Sequence, residues 1–140
     1  MQHHRGFTLL EALIGVALAG VLAAISVPRL GEWRAVLALE GTAQELSTAL
    51  RLARGQALSG GETVEVRFDS GAGRWETYTR AGRIGAAQAL PPRVAFAGLP
   101  ARSAVRFAGT GTADNATVTL AAGTHVAQII VNQRGRVRAR

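Results

Sequence analysis

Four arginines alternate at the end of the sequence, in Gln133-Arg134-Gly135-Arg136-Val137-Arg138-Ala139-Arg140. In an extended strand a period of two puts such side chains on one face, about 6.6–6.8 Å apart. That is near the phosphate spacing along a nucleic-acid strand, and guanidinium forks suit phosphate oxygens. A solvated edge strand, whose charges prevent edge-to-edge pairing, gives the same pattern. The second chemically loaded residue is Glu11, the one carboxylate inside an apolar run from Phe7 to Val27. A carboxylate near a bilayer centre costs roughly 2.5–3.5 kcal/mol on insertion scales, so it needs a partner.

Catalytic constellations are missing from the sequence. His125 is the only histidine beyond His3 and His4, and its strand context predicts a satisfied structural side chain. There is no cysteine and no serine in a G-x-S-x-G setting. Gly109-x-Gly111 lacks a third glycine and reads as a turn, and no ligand spacing suits a metal. The expectation is a protein that is not an enzyme and needs no cofactor. Charge is the stronger signal. The chain carries a formal +7, and from Thr77 to Arg140 nine arginines face a single acid, Asp114. Such a field favours nucleic acid or another polyanion.

The elements that position these residues follow from periodicity. Phe7 to Val27 is long enough, about 32 Å as a helix, to cross a bilayer. Pro28 and Gly31 should loosen the helix. Beyond them Trp33, Leu37, Ala43, Leu46, Leu50, Ala53 and Ala57 recur at helical spacing, predicting a core-facing stripe that ends at Gly60-Gly61. From Thr63 the period becomes two. Val64–Phe68 and Trp75–Tyr78 predict a hairpin, and Arg80–Ala87 reads as a glycine-containing loop. Short strands follow at 94–96, 105–107, 117–120 and 126–131. Asn132–Gly135 is a turn signal before a final strand or free tail.

Gly6-Phe7-Thr8-Leu9-Leu10-Glu11, after the basic residue Arg5, closely resembles the processing site of type IV pilins and type II secretion pseudopilins. The resemblance implies cleavage by a prepilin peptidase between Gly6 and Phe7, N-methylation of Phe7, and pairing of Glu11 with a neighbouring subunit's N-terminal amine. An ordinary secretory signal cut after Ala17-Leu18-Ala19 is the competing reading. It would have to tolerate Glu11 and leaves the apolar residues past Ala19 unexplained.

One long helix followed by six or seven short strands is similar to the GspH/FimT group of minor pilins and pseudopilins. The resemblance implies an α+β, type IV pilin-like fold, with the long N-terminal helix packed on a small antiparallel β-sheet head. The implied layout is a leader at 1–6, a transmembrane and filament-core helix at 7–28, an amphipathic half at 29–60, and a β-rich head with a basic tail at 61–140. The protein would wait in the bacterial inner membrane as a single-pass precursor, head in the periplasm, before joining other pilin or pseudopilin subunits. Gly135-Arg136-Val137-Arg138 resembles the Gly-Arg-x-Arg motif of family members that capture DNA in natural transformation. By that resemblance Arg134, Gly135, Arg136, Arg138 and Arg140 would hold double-stranded DNA without sequence preference. A structural minor pseudopilin at the tip of a type II secretion pseudopilus is the alternative.

Overall fold

The structure is a computed structural model that describes residues 8–140, giving the helical backbone alone for residues 25–30. One helix, α1 (Leu9–Gly60), precedes eight strands: β1 (Val64–Asp69), β2 (Arg74–Thr79), β3 (Gly82–Ala89), β4 (Ala95–Gly98), β5 (Ala104–Phe107), β6 (Ala116–Ala122), β7 (His125–Val131) and β8 (Val137–Ala139). Two compact units divide the chain between Arg34 and Ala35.

In the first unit Leu9, Leu13, Ile14, Val16 and Leu18 all lie exposed, around every side of the helix. A helix apolar all round requires lipid or other helices about it. Among the described residues no helix is long and apolar enough to cross a membrane. The segment expected to span, 7–28, contains Phe7 and side chains from 25 onward that lie outside the described ones, while the backbone of α1 stays helical through Pro28 and Gly31, where a softening is expected from the sequence.

The second unit holds the core. Leu39, Ala43, Leu46, Leu50, Ala53 and Ala57 of α1 are buried at alternating four- and three-residue steps. Trp33 and Leu37, expected on this stripe, are instead 62% and 47% exposed. At about 100° per residue Leu37 stands some 200° round the helix from Leu39, so it belongs to the opposite face. Gly61 follows the helix with φ 63°, the left-handed conformation glycine supplies after a helix end.

The strands form two four-stranded antiparallel sheets, ordered β3-β2-β1-β5 and β4-β6-β7-β8, where one small sheet was expected. Register explains their inner faces. Val64, Val66 and Phe68 stand opposite Phe107, Val105 and Trp75, and all six are buried. In the second sheet Val118 pairs with Ile129, and Ala116 and Val137 both pair with Val131. Phe68 and Phe96 meet edge to face, centroids 5.7 Å apart, and join the two sheets.

The expected loop at 80–87 is largely strand β3, making eight strands instead of six or seven. Its glycines and alanines gave no alternating pattern. As an edge strand, exposed along most of its length, β3 needs only backbone pairing with β2.

Candidate functional site

The arginine row begins in a turn. Gly135 N–H donates to the carbonyl of Asn132 at 2.8 Å. The Asn132 side-chain oxygen accepts the amides of Arg134 at 3.1 Å and Arg136 at 2.9 Å. Asparagine favours such turns because its side chain can bond the backbone a few residues on. Gly135 has φ 69° and is buried against Arg54 of α1. The sequence signalled the turn but not this double clamp.

The clamp corrects the reading of four arginines on one extended face. Arg134 sits within the turn, and the left-handed Gly135 breaks the alternation after it. Strand β8 then runs over Val137–Ala139, with Arg136 immediately before it and Arg140 immediately after. Val137 pairs with Val131 and is buried, whereas Arg138 pairs with Ile130 on the outer side. Arg140 exchanges two 2.8 Å backbone bonds with Gln128. Arg136, Arg138 and Arg140 therefore alternate along the outer edge of the second sheet. All four arginines are exposed.

Ion pairing decides which arginines remain available. Arg67 bonds Glu65 at 2.9 Å, and Arg106 bonds Asp114 at 3.0 Å. Arg83 reaches Glu76 at 3.3 Å, while Arg74 lies 3.7 Å from Asp69 and 3.8 Å from Glu76. Every acid from Glu65 to Asp114 thus has an arginine, and Arg83 and Arg106 are partly neutralised. Arg134, Arg136, Arg138 and Arg140 form no ion pair among the described residues.

A polar cluster crosses the outer face of the first sheet. The Tyr78 hydroxyl donates to Glu76 at 2.7 Å, and the Arg67 guanidinium carbon lies 4.3 Å from the Tyr78 ring centroid. The donated bond holds the Glu76 carboxyl below its ordinary range and pushes the Tyr78 phenol above its own. Glu65 and Asp114 likewise raise Arg67 and Arg106, through hydrogen bond and charge. These groups stabilise one another and leave little free charge.

At the other end of the chain Thr8 precedes α1, and its side-chain oxygen accepts the amide of Glu11 at 3.3 Å. Thr8-x-x-Glu11 has the spacing of a capping box, a local signal legible in the residue types themselves. Glu11 itself is exposed in the single chain. Gly6 and Phe7 lie outside the described residues. His125 opens β7, exposed and with no hydrogen bond to its imidazole among the described residues, so it is not the satisfied structural side chain expected. It lines a groove of about 350 Å³ between α1 and the ends of β7 and β8, with Leu39, Ala43, Val126 and Arg140.

Residues 42–135 match the family described as type II transport protein GspH. Residues 1–27 match the prokaryotic N-terminal methylation motif. Two curated fimbrial proteins of Pseudomonas aeruginosa are each 36% identical over 64 residues, 46% of this chain and 42% of theirs. The chain thus spans about two fifths of the length of those relatives. The minor pseudopilin EpsH from the type 2 secretion system of Vibrio cholerae superposes with TM-score 0.61 at 17% identity, over 73% of this chain and 95% of that one. The type IV minor pilin FimU of Pseudomonas aeruginosa gives TM-score 0.60 at 16% identity, over 73% and 87%. At such identities the likeness speaks for the fold.

Proposed function

The chain belongs to the GspH family of pilins and pseudopilins, and from that premise we propose that it is a minor pilin that binds extracellular double-stranded DNA and supports its uptake. The observation that carries this reading is the row Arg136, Arg138 and Arg140, exposed on a sheet edge with no carboxylate paired to it. Arg134 and Gly135 set its start. Phosphate contacts of this kind position a duplex without reading its bases, so binding is independent of sequence.

Upstream of this step a prepilin peptidase cuts between Gly6 and Phe7, and Phe7 is methylated. The apolar helix holds the precursor in the inner membrane, with residues 61–140 in the periplasm as the head. Glu11 then pairs with a neighbour's amine as the subunit enters the filament. Mass spectrometry of the mature N-terminus tests the cut; a chain starting at Gly20 would establish the secretory-signal reading instead.

The secretion reading, a structural subunit at a pseudopilus tip, is favoured by the family's own description. A gel shift separates the two. The full chain in non-ionic detergent should retard unrelated duplexes equally, and Arg136→Gln with Arg138→Gln should lose that binding. Undiminished binding by the double variant would remove the tail's role, and no binding by wild type at low salt would leave the secretion reading.

A further inference from the structure

The register of the second sheet carries the arginine row onto neighbouring strands. Gln128 of β7 stands opposite Arg140, and Thr119 of β6 stands opposite Gln128. One step along, Ile130 stands opposite Arg138, and Thr117 opposite Ile130. Ile129, Val131, Val118 and Leu120, the alternate residues, are buried. These two rows therefore share the sheet's outer face, with strands about 4.8 Å apart.

The face also differs from its counterpart in charge. Strands β4, β6, β7 and β8 contain no Asp or Glu, whereas Glu65, Asp69 and Glu76 all belong to the first sheet. A phosphate backbone lying on the second sheet meets no carboxylate from its strands, with Glu40 of α1 near only at the Arg140 end; on the first sheet it would meet three. Glutamine and threonine donate to phosphate oxygens as neutral groups.

We infer that the DNA-binding surface is a patch across β6, β7 and β8, in which Gln128 and Thr119 hold phosphates beside the arginines. This rests on the DNA-binding reading above. The two kinds of contact have different signatures. Arginine contacts release counterions and set the slope of log affinity against log salt; neutral donors add affinity and leave that slope unchanged.

The test is a salt titration of duplex binding by the full chain in non-ionic detergent, with circular dichroism confirming each fold. Gln128→Ala with Thr119→Val should weaken binding about tenfold at every salt concentration, with a parallel slope, because two neutral hydrogen bonds are removed. Gln128→Glu, which sets a carboxylate beside Arg140, should weaken it further and most at low salt. If both variants bind within twofold of wild type while the Arg136/Arg138 double variant fails, the site is the tail alone. If wild type binds no duplex at low salt, this patch and the DNA reading both fall. Equal losses on phosphatidylglycerol vesicles and on duplex would make the patch a membrane-surface site and overturn the assignment.

Discussion

Gly135 and Arg54 touch so closely that a β-carbon on the glycine would stand 2.6 Å from Nε of the arginine. The carbonyl oxygen of Gly111 would be 2.9 Å away on the backbone side. Arg54 Nε is buried and has no hydrogen-bond partner among the described residues. The contact ties the start of the arginine row to the helix. Gly135→Ala therefore meets both a crowded site and a φ of 69°. It should destabilise the fold by about 1–3 kcal/mol, measured as a lower urea midpoint at unchanged slope.

Which parts of this were legible in the sequence follows from how local each signal is. The hairpin β1–β2, the strands β5 to β7 and the 132–135 turn rest on alternation and turn residues, so neighbouring residues suffice. The phase of the helix stripe needed the sheets. Trp33 and Leu37 look like core residues by type, yet the strands cover the face marked by Leu39 and Ala43. Strand β3 was hidden because an edge of glycine and alanine has no apolar alternation to read. Arg136 and Arg138 were legible as a motif; that Arg134 leaves their row depends on the conformation of Gly135. The pairing of Arg83 with Glu76, and of Arg106 with Asp114, depends on how the strands are brought together, and spacing alone does not reveal it.

Ser47 is fully buried on α1, and its hydroxyl has no hydrogen-bond partner among the described residues. An unpaired buried hydroxyl costs about 1–3 kcal/mol, and alanine has the higher helix propensity. Ser47→Ala should match or exceed wild-type stability, by up to about 1 kcal/mol. Calorimetry or urea melting reads this directly, and a clear loss would mean that the hydroxyl has a partner in solution.

The Glu76–Tyr78 bond makes stability depend on pH at both ends. Glu76 has a folded pKa below its unfolded value, so its contribution is present above about pH 4.3 and is lost as pH falls through the folded value. Tyr78 is raised, so its contribution is complete below about pH 10 and is lost as pH rises through its folded value. Tyr78→Phe should flatten both limbs of a plot of melting temperature against pH. A variant that keeps both limbs would assign them to other groups.

Glu11 has two jobs to separate, one in the helix cap and one in assembly. Its amide bonds Thr8 in the single chain, while its carboxylate remains exposed. Glu11→Gln keeps a residue suited to the third position of a capping box but removes the charge. If pairing with a neighbour's amine drives assembly, the glutamine variant should be processed normally and incorporate as poorly as Glu11→Ala. Immunoblots of sheared filaments measure this. Normal incorporation of Glu11→Gln with failure of Glu11→Ala would place the role in the cap.

Arg134 and Arg138 should differ in their salt signatures, because the turn removes one of them from the extended row. Three phosphate contacts by Arg136, Arg138 and Arg140 give a slope of log affinity against log salt near −2.7, at about −0.9 for each. Arg138→Gln removes one contact and should flatten the slope by about 0.9. Arg134→Gln leaves the row intact and should change the slope by less than half as much. Neither substitution touches the core, since both side chains are exposed. Titration of duplex binding across roughly 50–200 mM salt resolves the difference. Equal flattening by the two variants would mean that the turn around Gly135 rearranges on DNA to restore a four-arginine row.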